Sequence, residues 1–406
     1  MKILCVLGEH NYGNPSRGKG YEYVNFLPAL RNLGHQVIFF ESFNRNAYRD
    51  FAELNRKFLE KVHVEKPDII LCVLLGYEIW LETLQLVREG THSILLNWST
   101  DDSWKYEQFS KFIASSFHLY ATTYPDAIVK SKRDGYDNFV LTQWAANSAT
   151  LAEPVPAALC RYPVSFIGTA YGNRPQWISA LGERGIKVEC FGHGWENGSV
   201  PAEEIPRIMR NSTISLNFGD SGMVLRGIVP GRSRQIKARI FEVPGAGGFL
   251  MTEDAEWLDS FYRIDEEITV FAGISDLATK IAYFVEHPEE RDRLAMAGYR
   301  RTRDEHTYEM RFDKLLAKAI EQKKMTIDGK IGIDFDKFKL IEKRHGTGSV
   351  LRTIKNLLLV PCVIIWGKRR GPRAARKLLF EVSWRLVGKK TYTASGWPGR
   401  LFYKES

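Results

Sequence analysis

Between Gln235 and Asp254 the chain reads QIKARIFEVPGAGGFLMTED. A basic, helix-like run, Lys237-Ala238-Arg239-Ile240-Phe241, leads to Glu242. A Pro-Gly-Ala-Gly-Gly turn follows, then a short apolar strand over 249–251. Residue types in this order suit a nucleotide. Cations answer phosphate oxygens, glycines let backbone N–H groups come close, and a carboxylate can hold a ribose diol. The same Gly-Gly pair also serves as an ordinary helix C-cap and turn, and from sequence both readings stand.

Such a stretch acts only if other elements position it. Short apolar runs at 3–7, 37–41, 69–75, 93–97, 118–122 and 139–142 suit strands buried on both faces, and amphipathic stretches such as 23–33 and 48–62 lie between them. Alternation of this kind predicts a parallel, doubly wound sheet, whose ligands sit beyond the strands' carboxyl ends. Two loops fall there: 8–14, Gly-Glu-His-Asn-Tyr-Gly-Asn, and 98–102, Trp-Ser-Thr-Asp-Asp. Residues 147–162 are Ala/Pro-rich, without a period, and read as a linker. The alternation then restarts. Strands are expected at 164–167, 187–191, 214–218 and 268–271, and helices at 175–184, 205–210, 274–286, 288–301 and 308–323. No short-period repeat is present.

Composition narrows the class. The chain has 406 residues, enough for two or three domains, with ordinary apolar and charged fractions. Its five cysteines are far apart and form no CxxC or Cys/His cluster, so neither structural zinc nor a disulfide framework is expected, and reduced cytosol is the simplest compartment. The MKILCVLG start is too short for a signal peptide and reads as a first buried strand. No segment is expected to reach the apolar length that spans a bilayer.

The charge is uneven. Residues 349–406 hold 13 Lys/Arg and 2 Asp/Glu, a net of +11, which leaves −2 for the other 348 residues. Residues 325–348 read as a polar connector. The tail then places a ten-residue apolar run, 357–366, beside Lys368-Arg369-Arg370-Gly371-Pro372-Arg373 with Arg376-Lys377. That pattern fits either an interfacial segment on an anionic membrane, through 349–390, or a helical hairpin packed on the body with a solvated basic face. No nucleic-acid-binding motif accompanies the charge, so nucleic acid is not an expected partner.

Four stretches carry a resemblance: VSFIGTAYGNRPQWISALGERGIKVECFGHGW at 164–195, NSTISLNF at 211–218, QIKARIFEVPGAGGFLMTE at 235–253 and EHPEERDRLAMAGYRRTRDEHTYEMRF at 286–312. In order and spacing they resemble the C-terminal domain of group-1 glycosyltransferases of the GT-B fold, in the version found in CgeB-like spore-maturation proteins. The first half matches more loosely, through the loop after strand one, LPALRNLGHQVIFFES at 27–42 and WSTDDSW at 98–104. The tail beyond about 325 has no counterpart.

The resemblance implies an α/β, GT-B architecture of two Rossmann-like domains facing across a cleft, plus a basic C-terminal helical tail. The expected division is 1–150 for the acceptor, 160–324 for the nucleotide-sugar, and 325–406 for connector and tail. It implies no metal and no cofactor beyond a UDP- or GDP-linked sugar as co-substrate. Glu242 matches the glutamate that binds the ribose, and Gly247 and Gly248 the turn after it. Arg239 and Lys237 are candidates for the diphosphate. Gly168, Thr169 and Arg174 match a phosphate-facing loop, and Gly192-His193-Gly194-Trp195 the loop that closes around the base, where Trp195 either stacks or belongs to the core. Retaining group-1 enzymes usually carry a second glutamate eight residues before the ribose one; here Arg234 stands there, so the stereochemical outcome does not carry over. Arg226, Arg232 and Arg234 form an arginine-rich loop, read as added phosphate contacts or as a solvated loop. An inverting transfer needs a general base for the acceptor hydroxyl. Asp102 is the first choice and His10 the second; the alternative is that Asp101 or Asp102 caps the following helix.

The expected function is therefore sugar transfer from a nucleotide-sugar to a glycan, lipid-linked or protein acceptor in glycan or surface-polysaccharide synthesis. The expected location is cytoplasmic, peripheral on the membrane's inner face. The alternatives are a non-catalytic GT-B-like scaffold that binds nucleotide-sugar or glycan at a membrane, and a nucleotide-sugar epimerase.

Overall fold

A computed structural model describes residues 1–226, 229–324 and 332–406. The chain forms two compact units, one of residues 1–142 with 313–406 and the other of residues 143–312.

The first unit is built on a six-stranded parallel sheet: β1 (Lys2–Leu7), β2 (Gln36–Glu41), β3 (Ile69–Cys72), β4 (Ile94–Ser99), β5 (Leu119–Thr122) and β6 (Phe139–Leu141), in the order β2-β1-β3-β4-β5-β6. The middle strands are buried along their length and mostly apolar, as a parallel sheet covered on both faces requires. Leu4, Val6, Ile70, Cys72 and Leu95 pack with Leu54, Phe58, Leu59 and Val62 of helix Phe51–Glu65 in one core. Asp50 starts that helix by accepting the Glu53 N–H at 2.9 Å.

Residues of the expected connector and tail return to this unit. Helix Phe335–Lys343 stacks Phe338 on Trp80 at 6.3 Å. Phe380 meets Tyr77 at 5.9 Å, Tyr392 meets Phe109 at 5.4 Å, and Tyr403 meets Phe51 edge-on at 4.8 Å. The tail's C-terminal aromatics thus complete the core of the N-terminal sheet.

The second unit holds β7 (Tyr162–Ile167), β8 (Glu189–Phe191), β9 (Ser212–Asn217), an antiparallel hairpin β10 (Asp220–Arg226) and β11 (Val229–Arg234), then β12 (Leu250–Glu253) and β13 (Thr269–Phe271). Its five-stranded sheet is parallel in the order β13-β12-β9-β7-β8. Alternation along a strand feeds two cores: Val164 and Phe166 enter one, Ile167 the other with Ile240, Phe241 and Leu250.

The segment read as a linker is tied down. The Arg291 guanidinium is wholly buried and donates to the carbonyls of Thr213 (2.7 Å), Ser212 (2.8 Å) and Val155 (2.8 Å), while Asp292 accepts the Ala157 N–H at 3.0 Å. A buried arginine that satisfies three carbonyls fixes the segment to the second unit's sheet.

Candidate functional site

In the second unit the expected residues other than Gly247 and Gly248 gather where β7, β8, β9 and β12 end. After β7, Gly168 and Thr169 open a loop to helix Arg174–Gly182, and after β8 comes Gly192-His193-Gly194-Trp195. The two loops interlock. The Ala170 N–H donates to the His193 carbonyl at 2.9 Å, and the Trp195 indole N–H to the Gly168 carbonyl at 2.7 Å. Gly192 has φ +128°, and a Cβ there would collide with the Gly168 carbonyl, so only glycine allows the approach. Of the two readings of Trp195, this geometry matches the core one: its N–H is used, and its ring packs on Phe166, centroids 6.0 Å apart.

Arg174 is buried rather than projecting. Its guanidinium lies 4.2 Å from the Tyr171 ring centroid and 5.4 Å from that of Phe166, and donates to the Thr169 carbonyl at 3.0 Å. It braces the loop whose backbone faces the site.

Arg239 and Glu242 share the first turn of helix Arg239–Gly245. They form an ion pair, and Arg239 Nε donates to the Ile167 carbonyl at 3.3 Å, which brings the pair to the end of β7. Lys237 reaches Gln235 Oε1 at 3.1 Å, and the Gln235 N–H donates to the Gly219 carbonyl at 2.9 Å, just past β9. Two cations and a carboxylate, all part-exposed, therefore stand at the helix N-terminus beside the strand ends. Helix N-terminus and cations both favour an anion, and a planar guanidinium can span two phosphate oxygens.

The glycine turn lies elsewhere. Gly247 and Gly248 end the helix and enter β12, at the amino side of the sheet, buried. A Cβ on Gly247 (φ +81°) would come within 2.5 Å of the Ala152 carbonyl oxygen, and one on Gly248 within 2.7 Å of that of Met209. The expectation that these glycines approach a phosphate is corrected: backbone already fills the space they leave, and they form the C-cap turn that was the alternative.

Arg234 also has a local partner. Its Nε lies 3.8 Å from Glu253 Oε1, and Glu253, buried at the end of β12, accepts the Gly219 N–H at 2.9 Å. Sequence reasoning missed Glu253. The signal was an acid closing a short buried strand, Leu250-Met251-Thr252-Glu253. The arginine-rich loop is a β-hairpin; the side chains of Arg226 and Arg232 lie outside the described residues.

In the first unit, Asp102 is 1% exposed. Its Oδ1 accepts from Ser99 Oγ at 2.7 Å and from Ser110 Oγ, and burial raises its pKa from the ordinary carboxylate value. A general base must reach the proton it removes. This carboxyl instead ties the end of β4 to the following helical turns, so the first choice of base is corrected. Its neighbour Asp101 is part-exposed, 4.0 Å from Lys105 Nζ, and neither Asp makes a side-chain cap. His10, past the end of β1, has Nδ1 3.8 Å from Glu9 Oε2, and Glu9 pairs with Lys19. Glu41 at the end of β2 organises this loop by accepting the N–H groups of Glu9 (2.9 Å), Phe43 (2.6 Å) and Asn44 (2.9 Å).

Among the described residues, no group of three or more His, Cys, Asp or Glu is placed to hold a metal ion.

Residues 174–317 match a family model described as glycosyl transferase-like. No curated protein matches the chain. Among solved structures it is similar to sucrose-phosphate synthase from Thermosynechococcus elongatus, at 12% identity and a TM-score of 0.59, over 79% of this chain and 100% of that one. It is similar to Anabaena HepE in complex with UDP, at 11% identity, TM-score 0.51 and the same coverages. It is also similar to a DNA-modifying β-glucosyltransferase studied with and without uridine diphosphoglucose, at 13% identity, TM-score 0.51 and again 79% and 100%. At such identities the likeness is one of fold: two Rossmann-like sheets of the GT-B type, with an added C-terminal helix.

Proposed function

We propose that this protein is a glycosyltransferase that moves a sugar from a nucleotide-sugar to an acceptor hydroxyl, in glycan or surface-polysaccharide synthesis. The observation that carries the reading is the grouping of Arg239, Lys237 and Glu242 at a helix N-terminus beside the strand ends of the second unit. It lies within the stretch matched as glycosyl transferase-like. Glu242 takes the ribose hydroxyls. Arg239 and Lys237 take the diphosphate and stabilise it as the leaving group gains charge, so the reaction is read as metal-independent. Binding opens the Arg239–Glu242 pair, and each partner then meets its own half of the nucleotide. HepE with UDP and the glucosyltransferase with uridine diphosphoglucose support UDP as the first nucleotide to test. The CgeB-like resemblance belongs to the same reading.

A thermal-shift panel of UDP- and GDP-sugars tests it. A specific donor should raise the melting temperature of the wild type by linkage. Glu242→Ala should lose that response while keeping its own melting temperature. Absence of any response across the panel would sink the assignment.

The engagement of Arg234 with Glu253, where a second glutamate is expected, favours a second reading, a nucleotide-sugar-binding scaffold without turnover. Donor hydrolysis or transfer separates the two: binding without either, for any acceptor, selects the scaffold.

A further inference from the structure

The helical tail carries a surface that the sugar-transfer reading does not use. Helix Ser349–Val387 is interrupted at Gly367 (φ 75°, ψ 168°). Beyond it the chain turns back. Cys362, Ala375 and Leu379 share one small core with Leu401 and Phe402, and a Cβ on Gly371 would come within 2.6 Å of Val363 Cα. Residues 13 apart on a straight helix would stand about 20 Å from one another. The element is therefore a hairpin of two helical arms, with Gly367 in its turn.

One outward stripe of it is apolar. Ile354, Leu357, Pro361, Ile364 and Ile365 recur at helical spacing on the first arm, and Leu357, Ile364 and Ile365 are 69%, 77% and 66% exposed. Trp366 at the tip is half-exposed. The second arm exposes Leu378, Val382 and Leu386 at i, i+4, i+8. Immediately past the tip stand Lys368, Arg369, Arg370, Arg373 and Lys377, all exposed, and among the described residues no acid pairs with them. The hairpin holds nine Lys/Arg against one acid, Glu381, which is engaged by Arg385.

The expectation that no segment reaches a spanning length is corrected: by length and composition the helical stretch Val350–Tyr392 is long and apolar enough to cross a membrane, and only 6% of its most apolar window is buried. The reversal at Gly367 changes what that apolarity can do. The run 357–366 is about 15 Å long, half of a hydrocarbon core of about 30 Å. We propose that this hairpin inserts its tip into one leaflet of an anionic bilayer, with Ile364, Ile365 and Trp366 among the acyl chains and the 368–377 cations on lipid phosphates. An apolar tip, a boundary tryptophan and an adjoining uncompensated basic block match that environment in depth and in charge. A second copy of this chain would bring a like-charged block to the same place.

Flotation of the full chain with phosphatidylcholine–phosphatidylglycerol vesicles, against phosphatidylcholine alone, tests the proposal. The wild type should float with the anionic vesicles and weaken as salt rises. Joint substitution Ile364→Ser, Ile365→Ser and Trp366→Ser should lower the apparent affinity roughly tenfold or more. Arg369→Glu with Arg370→Glu should lower it roughly fivefold per cation and flatten the salt dependence. All these side chains are exposed, so both variants should keep the wild-type melting temperature and its nucleotide-sugar response, which separates this result from the donor assignment. If one variant fails to fold, the other decides. Absence of flotation by the wild type, equal flotation by a folded variant, or self-association in sedimentation lost on the same substitutions without lipid binding would each overturn it.

Discussion

Glu242 and Asp102 are both carboxylates near strand ends, and their surroundings are opposite in kind. Glu242 keeps a share of its surface open and faces Arg239 at a helix start. Asp102 is enclosed by hydroxyls. Removing a carboxylate that holds two ribose hydroxyls costs about 1.5–3 kcal/mol, so Glu242→Ala should weaken the donor's Kd between roughly ten- and a hundredfold, read by calorimetry. Asp102→Asn should behave differently. Burial has raised the folded pKa of Asp102, so ionisation is disfavoured in the fold, and its contribution to stability is lost as pH rises through that value. The amide stands in for the neutral acid. Its melting temperature at neutral pH should equal or exceed that of the wild type, and sugar transfer should stay within about threefold. A loss of about a hundredfold or more, the cost of deleting a general base, would restore Asp102 to that role.

At the scale of elements, the stretch 235–253 does two things at its two ends. Its first helical turn presents charge, and its glycine turn lets the chain pass under Ala152 and Met209 into β12. Gly247→Ala should therefore act on folding. A side chain at φ +81° costs about 1–2 kcal/mol, and the contact with the Ala152 carbonyl adds to it, so a destabilisation of about 2 kcal/mol or more is expected in urea unfolding. Donor affinity of the folded protein should not change. A selective loss of donor binding with unchanged stability would return Gly247 to the phosphate.

For the whole molecule, acid stability should depend on His306. Its Nε2 donates to the Phe261 carbonyl at 2.8 Å and its Nδ1 accepts from Arg311 at 3.0 Å, with Phe241 and Tyr262 around the ring. Burial, then the nearby arginines, hold its pKa down to about 4. A depressed folded pKa means that stability is full above the unfolded value near 6.5 and is lost as pH falls toward 4, by at most about 1.4 kcal/mol per pH unit. His306→Gln keeps a donor but cannot titrate. Its melting temperature should fall less steeply between pH 6.5 and 4 than that of the wild type, and identical slopes would refute the assignment.

Two α/β halves are legible in the amino-acid sequence alone, because parallel strands buried on both faces leave short apolar runs, here four to seven residues long, that alternate with amphipathic helical stretches. The strands expected at 3–7, 37–41 and 164–167 lie inside β1, β2 and β7. The group at 237–242 is equally visible, since charge pattern and local helix sit in one short segment. Sequence could not say which end of that segment lies beside the strand ends and which is packed against backbone. That depended on Ala152 and Met209, which reach Gly247 and Gly248 only through the fold. Nor could it show that Asp102 turns inward, that Arg234 meets Glu253, or that the tail's aromatics close the N-terminal core from the far end of the chain. Each is a contact between side chains that only the folded backbone brings together, and local pattern carries no information about partners. The tail's apolar and basic blocks are plain in the sequence; only the reversal at Gly367 set them at the tip of one hairpin.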